Sequence, residues 1–377
     1  MSICYYILSC FLVVNVIVFV HEYGHLLAAK SVGIKVTTFS LGIGPEIFGF
    51  NDKRGTRWRI SLLPIGGYVM MLGDGDIASA TEDEESLKNL SEEDKKQSFL
   101  TKSNWEKMWV AFCGPLFNYI YAFVVIAVMS FCYGVPTYNP VVGEVLKDSP
   151  AAKSGIQSGD RIISIDNHAV KKYREVLIKI ADNESGKINL VIERNGIQQQ
   201  ISVVPEIRET KRLTGGVKKT KIIGIRPENP VFVKETFSNS LRLAVGECIY
   251  STKEMCKVFT KLFAGKKSID DFGGVVRMAE IAGDLSKSGN FALLVMLTVT
   301  LSLNLGFINL FPLPVLDGGR ILISFLEEIT RKKLNKTLQE YIMIACAILL
   351  IFLMLVTTVN DVLRIETVNK FVSSIIE

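Results

Sequence analysis

The chain has 377 residues, 49% of them hydrophobic, and a mean hydropathy of +0.31, which is too apolar for an ordinary soluble protein. Its net charge of +5 is modest, and the basic residues cluster beside the apolar runs, where anionic lipid headgroups explain them better than nucleic acid does. We therefore predict an integral membrane protein with membrane lipids, and no nucleic acid, among its partners.

Four uncharged runs are long enough to cross a hydrocarbon core of about 30 Å, which takes about 20 residues. They cover residues 1–20, 108–133, 290–316 and 341–360. The first lacks the basic start and the small-residue cleavage site of a signal peptide, so we expect it to be retained. The sequence predicts a polytopic α-helical membrane protein with four transmembrane helices.

The basic residues beside the spans predict the orientation of the chain. Six follow the first span between Lys30 and Arg59, and five precede the fourth between Arg320 and Lys336. Because Lys and Arg accumulate on the cytoplasmic side, both termini and the long insert between spans two and three are expected outside the cytoplasm.

The stretch VIVFVHEYGHLLAAK places two histidines and a carboxylate at the end of the first span. His21 and His25 are four residues apart, so on a continuous helix both imidazoles project from one face and can bind one metal ion. Glu22 lies beside them. This spacing suits zinc hydrolysis, because two neutral imidazoles leave a position for water and a carboxylate can accept its proton.

Chance matches to H-E-x-x-H also occur on helices with surface histidines, and a snorkelling or helix-pairing role is the alternative. Two of the three histidines lie here, where an unpaired ionisable group in the bilayer costs about 2.5 kcal/mol or more. A snorkelling or pairing role would not require this spacing, so we predict a metal site.

Polar and apolar side chains alternate over residues 34–43 and 57–63, on either side of the turn-like NDKRG, and predict a β-hairpin. The polar, acidic stretch that follows, with TEDEESLKNLSEEDKK, predicts a solvated linker with a short helix.

The long insert contains VVGEVLKDSPAAKSGIQSGDRIISIDNHAV, in which S-P-A-x-x-x-G-x-x-x-G-D resembles part of a PDZ domain. One such α/β domain fits residues 137–226, with His168 as a turn residue. It could bind a peptide end or act as a size filter for substrates.

Helical spacing of apolar residues between Cys248 and Leu262 predicts a helix that packs against the PDZ-like domain or the membrane surface, with substrate gating as the alternative. Cys248 and Cys256, eight positions apart on this helix, are too distant to form a disulfide.

The third span ends in GFINLFPLPVLDGGR, where Asp317 is the first charged residue after the uncharged run. Two imidazoles leave a zinc site short of one protein ligand, and a carboxylate can supply it. Pro312 and Pro314 break the helix and Gly318 frees the backbone, so non-helical chain lies near membrane depth, surrounded by protein or a cavity. An N-cap is the alternative role for Asp317.

HEYGH and NLFPLPVLDGG together resemble the motifs of the intramembrane zinc metalloproteases of the site-two protease type, in particular their bacterial branch, the regulator of sigma-E protease. FSLGIGPEIFGF and ISLLPIGGYVMMLGD resemble its membrane-associated β-hairpin, FCGPLFN its second-span motif and NDVLRI its chain end. The likeness covers most of the chain.

The resemblance implies three ligands for one Zn²⁺ ion per chain: His21, His25 and Asp317. It implies Glu22 as the general base. Four residues of the N-x-x-P-x-P-x-L-D-G phrase would support the site or bind the substrate backbone: Asn309, Pro312, Pro314 and Gly318. The implied substrates are single-pass membrane proteins, namely anti-sigma factors or remnant signal peptides, cut by regulated intramembrane proteolysis in the bacterial inner membrane, with the active site towards the cytoplasm.

A transmembrane helix cannot be cut while its amides remain bonded within the helix, so an enzyme of this kind needs a device that holds its substrate extended. We expect the hairpin to pair with the unwound substrate by β-strand addition. A purely structural hairpin is the alternative.

These interpretations divide the chain into ten segments: transmembrane helix 1–30, membrane-associated β-hairpin 31–76, cytoplasmic linker 77–106, transmembrane helix 107–133, PDZ-like domain 137–226, extracytoplasmic helical region 227–289, transmembrane helix 290–316, loop and cytoplasmic helix 317–340, transmembrane helix 341–360 and tail 361–377.

A transporter with an ion path through His21, Glu22 and Asp317 is a rival functional hypothesis, although no internal repeat of hydrophobic segments supports it. A catalytically silent scaffold is the other rival, but a binding role needs no base beside the histidines.

Overall fold

The computed structural model describes residues 2–74, 90–183, 186–211, 217–264, 275–287 and 291–364. Parts of the predicted linker 77–106, of the helical region 227–289 and of the tail 361–377 lie outside these residues. The chain divides into two compact units. Met1–Ile126, Ala244–Phe259 and Phe272–Glu377 form the first, here called the membrane unit, and Ala127–Leu243 and Thr260–Asp271 form the second, the insert unit.

The helices of the described residues are, in chain order, α1 Ser2–Ser31, α2 Glu92–Lys96, α3 Asn104–Cys132, α4 Pro150–Lys153, α5 Tyr173–Asp182, α6 Phe237–Phe263, α7 Val275–Lys287, α8 Phe291–Asn309, α9 Asp317–Thr330 and α10 Lys336–Arg364. The strands are β1 Val36–Asn51, β2 Arg57–Met71, β3 Val135–Thr137, β4 Val142–Val145, β5 Arg161–Ile165, β6 His168–Ala169, β7 Ile188–Arg194, β8 Ile197–Val203, β9 Glu206–Lys211, β10 Val217–Ile222, β11 Ile225–Pro227 and β12 Val231–Val233.

Four of the described helices, α1, α3, α8 and α10, are long and apolar enough to cross a membrane. The predicted polytopic helical fold is confirmed to this extent. A helix suits each apolar run because it satisfies all of its backbone amides internally. The third predicted span is too long, however, since α8 ends at Asn309 and residues 310–316 form a turn in which Pro312 and Pro314 cannot continue the helix.

In the membrane unit, β1 and β2 pair over a longer stretch than the alternation predicted. The first half of β1 pairs with both ends of β2, because Thr38 is opposite Met70 in one register and Arg57 in the other. Phe39, almost fully buried, anchors this sheet to Leu26 of α1 in a shared apolar cluster. The sheet therefore lies against the helix that carries H-E-x-x-H.

In the insert unit, the main sheet has four antiparallel strands in the order β6-β5-β7-β8, and α5 buries Val176 and Ile180 in the same core as its strands. The buried Asp160 carboxylate accepts two hydrogen bonds from the guanidinium of Arg194, at 2.6 and 2.7 Å. His168 was expected to be a turn residue, but it is the first residue of β6 and pairs with Ile165, while Asp166 and Asn167 form the turn. The unit is α/β, as the PDZ-like phrase predicted.

The second half of α6 contacts two of the spanning helices. In the membrane unit, its Thr252 hydroxyl lies 3.1 Å from the hydroxyl of Tyr119 on α3, and the Phe259 ring contacts Phe307 and Phe311 at the end of α8. The predicted helix is present, and its contact with the PDZ-like domain or the membrane surface stays a prediction. Cys248 and Cys256 are not joined by a disulfide, in agreement with the prediction.

Candidate metal centre

His21 and His25 lie on one face of α1, because the helix runs without a break through both positions. Their Nε2 atoms are 3.2 Å apart and both side chains are buried. The Nδ1 atom of His25 lies 2.9 Å from the carbonyl oxygen of Val110 on α3. A carbonyl can only accept, so His25 donates from Nδ1, and its neutral form directs the Nε2 lone pair towards His21.

Asp317 brings a carboxylate to the same point. Its Oδ2 atom lies 3.2 Å from Nε2 of His21 and 3.5 Å from Nε2 of His25. The N-cap of α9 is Leu316, with Asp317 as the first helical residue, so the alternative role of Asp317 as an N-cap is wrong.

The turn between α8 and α9 delivers this carboxylate. The N–H of Leu313 donates to the carbonyl of Phe311, and the N–H of Leu316 donates to that of Leu313. A Cβ atom at Gly318 would overlap the carbonyl oxygens of Leu310 and Phe311. Glycine therefore lets the start of α9 approach the turn closely enough to direct Asp317 at the histidines.

The donor set fits a zinc ion. The three candidate ligand atoms of His21, His25 and Asp317 all lie within 4.8 Å of one another. In a tetrahedral zinc site with bonds of about 2.0–2.2 Å, neighbouring ligand atoms lie about 3.3–3.6 Å apart, close to the three separations found here. Two imidazoles and one carboxylate with an open fourth position are also typical of catalytic zinc sites.

Gly114 of α3 forms the wall behind the histidines. A Cβ atom at this position would lie 2.5 Å from Cε1 of His25 and 2.9 Å from Cε1 of His21, and it would overlap Nε2 of His25. No other residue type leaves room for the pair. Sequence reasoning missed this role, although the Gly-Pro pair in the second span marks a close helix contact.

A cavity of about 360 Å³ lies beside the three ligand atoms, and Glu22 and Asn309 line it. The segment from Gly66 to Met71 of β2 forms another wall. A Cβ atom at Gly67 would lie 2.8 Å from Cγ1 of Val18 and 3.1 Å from Cγ of Glu22, so the strand contacts α1 directly beside the carboxylate.

Two asparagine amides contact His21. The side-chain nitrogen of Asn309 lies 3.4 Å from Nε2, and that of Asn118 lies 3.1 Å from Nδ1 on the other side of the ring. Asn309 was predicted from the sequence and Asn118 was not. An amide within an apolar span, in FCGPLFN, was the available indication, because a polar side chain at membrane depth needs a partner.

Comparison with known proteins finds a matching family and relatives that cover most of the chain. A family model described as peptidase family M50 matches residues 9–353. A protein of Mesorhizobium japonicum named a putative zinc metalloprotease is 35% identical over 332 residues, covering 87% of this chain and 90% of the relative. A protein of Agrobacterium fabrum with the same description is 34% identical over 361 residues, with 95% of each chain covered. The PDZ domain of an SdrC-like protein from Listeria monocytogenes matches 25% of this chain and 90% of its own, with 24% identity and a TM-score of 0.21. With a family model matched over most of its length, the chain belongs to peptidase family M50.

Proposed function

We propose that this peptidase is an intramembrane zinc metalloendopeptidase that cuts the transmembrane segments of single-pass membrane proteins. His21, His25 and Asp317 are its zinc ligands. The observation that carries the proposal is the convergence of their three ligand atoms within 4.8 Å, beside a cavity that Glu22 lines.

A zinc ion held by these residues would act as a Lewis acid towards the scissile carbonyl and would lower the pKa of water to about 7. Glu22 accepts the proton of the attacking water and returns it to the leaving amine, as a general base and then a general acid. Asn309, on the cavity wall, donates its amide N–H to the substrate backbone. Pro312, Pro314 and Gly318 support the site by shaping the turn that holds Asp317.

The β1–β2 sheet presents the substrate in extended form. Its registers place residues 67–71 at one edge of the sheet, and this edge lines the cavity. An unwound substrate that adds to the edge as a further strand would carry its peptide bond past Glu22. The second half of β1 carries two exposed apolar side chains, Ile47 and Phe48, which are 66% and 62% exposed. Such side chains are compatible with contact between this part of the sheet and the membrane interior.

The enzyme acts in the bacterial inner membrane, with both termini and the PDZ-like domain outside and the site towards the cytoplasm. The basic residues after the first span and before the fourth support this orientation. Its substrates are anti-sigma factors or remnant signal peptides, and the PDZ-like domain binds a peptide end or filters substrates by size.

The proposal is tested with purified chain and a reconstituted single-span substrate, with bound zinc counted in each variant. We expect Glu22→Gln to retain zinc but to lose about 10²- to 10⁴-fold of the cleavage rate, because a general base contributes that much. His25→Ala should lose zinc and cleavage together, whereas His168→Ala, which changes the exposed third histidine, should keep both. A wild-type chain that transports ions without zinc or cleavage would overturn the proposal.

A further inference from the structure

Asn118 and Ser302 form a buried polar pair behind His21. The Ser302 hydroxyl on α8 lies 3.1 Å from the backbone oxygen of Asn118 and 3.2 Å from its side-chain oxygen. Both residues are 0% exposed. Since neither side chain is exposed to solvent, each needs a hydrogen-bond partner in the interior, and the contacts observed are with one another and with His21.

The chemistry of a metal ligand decides which way this amide faces. An imidazole that binds a metal through Nε2 carries its proton on Nδ1, so Nδ1 must donate. For His25 the acceptor is the Val110 carbonyl. For His21 the neighbouring atom is the amide nitrogen of Asn118, which is itself a donor, and two donors cannot share a hydrogen bond.

Exchanging the nitrogen and oxygen of the Asn118 amide removes the conflict. Amide orientation is assigned from the hydrogen-bond network. In the exchanged orientation, the amide oxygen accepts from Nδ1–H of His21 and the amide nitrogen donates to the Ser302 hydroxyl. That hydroxyl still donates to the backbone oxygen of Asn118, so every group of the pair has a partner.

We propose that Asn118 is a positioning residue for the metal site: its amide oxygen accepts the Nδ1 proton of His21 and holds the Nε2 lone pair towards Asp317 and His25. Ser302 selects this orientation by accepting from the amide nitrogen. The inference rests on the proposed function, because it requires His21 to be a metal ligand. In this arrangement the Nδ1 proton of His21 has an acceptor in Asn118, as the Nδ1 proton of His25 has in the Val110 carbonyl.

The first test compares Asn118→Leu with Asn118→Asp in the full-length chain, measuring zinc affinity by competition with a chelator. We expect the leucine variant to bind zinc about 10- to 100-fold more weakly, the usual effect of losing a partner of a ligating histidine. The aspartate variant should stay closer to wild type, because its carboxylate accepts the same proton. A role in packing alone predicts the opposite order, since leucine fills the space and a buried carboxylate does not.

Thr298→Val is the matched control. Thr298 lies one turn before Ser302 on α8, and its hydroxyl is 2.7 Å from that of Tyr121 on α3, so the change removes a hydrogen bond between the same two helices without touching His21. Its zinc affinity should equal that of the wild type. A loss as large as that of Asn118→Leu would assign the effect to helix packing and overturn the proposal.

A second readout needs no metal. The chain has three histidines, so ¹⁵N shifts of histidine-labelled, metal-free protein can resolve His21. We expect a larger Nδ1–H fraction of His21 in the wild type than in Asn118→Leu, because only the wild type has an acceptor beside Nδ1. Equal Nδ1–H fractions in the two proteins would overturn the inference. If His25→Ala also keeps full zinc affinity, the proposed metal site itself is wrong. If His25→Ala loses zinc and Asn118→Leu does not, only the role of Asn118 is wrong.

Discussion

Gly114 shows how a single missing side chain makes room for the candidate metal site. Alanine at this position would put a methyl carbon 2.5 Å from Cε1 of His25. The backbone of α3 fixes the position of this carbon, so the carbon cannot rotate away. We expect Gly114→Ala to weaken zinc binding by about 10-fold or more, measured by chelator competition, because the rings must move out of position. Gly246→Ala is the control, since that helical glycine has open space around its Cβ position and should bind zinc normally. Equal affinities in the two variants would contradict the prediction.

The Asp160–Arg194 pair stabilises the insert unit at the residue scale. Burial by itself raises the pKa of Asp160, but the hydrogen bonds from Arg194 and from the N–H of Gln157 lower it below its ordinary value overall. A carboxyl group with a lowered pKa stabilises the fold above its unfolded pKa of about 3.9, and this contribution is lost as the pH falls through the folded value. The pair should therefore persist throughout the physiological pH range.

Removing one partner tests this pair. Arg194→Met leaves the Asp160 carboxylate, 1% exposed, without its cation. We expect amide hydrogen exchange in β5 and β7 to become about 10-fold faster or more, because an uncompensated buried charge is strongly destabilising. In Arg226→Met, which removes an exposed pair with Glu144, exchange should change little. Equally faster amide exchange in both variants would mean that burial does not determine how strongly an ion pair stabilises the insert unit.

At the scale of elements, the edge of β2 is the part of the β1–β2 sheet beside the site. Proline cannot donate a backbone hydrogen bond, so Tyr68→Pro and Val69→Pro test two successive amides, one of which should face away from β1. We expect at least one of these variants to lose most of the cleavage of a single-span substrate while it retains zinc. Gln198→Pro, in the edge strand β8 of the insert unit, should cleave normally. Full cleavage activity in both Tyr68→Pro and Val69→Pro would contradict substrate pairing at this edge and would indicate that the sheet is only structural.

The turn after α8 depends on packing that lies outside its own sequence. Pro312 and Pro314 end the helix, but Phe259 of α6 contacts Phe311 at a ring-centroid distance of 4.6 Å and covers one side of the turn. Helical spacing predicted that α6 exists. The partner of its apolar face is decided by contacts between residues far apart in the sequence, which a local pattern does not encode.

At the scale of the whole molecule, the orientation in the membrane can be tested with cysteines placed in a chain from which the seven native ones are removed. Lys53→Cys lies in the turn between β1 and β2, and Ile197→Cys lies at a 65% exposed position of the insert unit. We expect an impermeant maleimide added to intact spheroplasts to label position 197 and not position 53. Inside-out vesicles should give the reverse pattern. Labelling of both positions from one side would contradict the proposed orientation.

The sequence by itself determined the parts of this protein that depend on local pattern. Uncharged runs predicted the four spans, because an apolar helix is the stable form of such a run in lipid. The spacing of His21 and His25 placed both on one helix face, because it matches the helical repeat. Asp317 could be chosen as their partner because few charged residues follow a span directly.

Tertiary structure alone decided what surrounds these groups. Asn118 reaches His21 across 97 positions of chain, and Gly67 of β2 meets Glu22 only because the sheet lies on α1. The double register of β1 and the packing of α6 are likewise set by contacts between distant segments. Local periodicity specifies which element forms and which face is apolar. Close packing, which depends on the shapes of all the neighbours at once, selects the partner of that face.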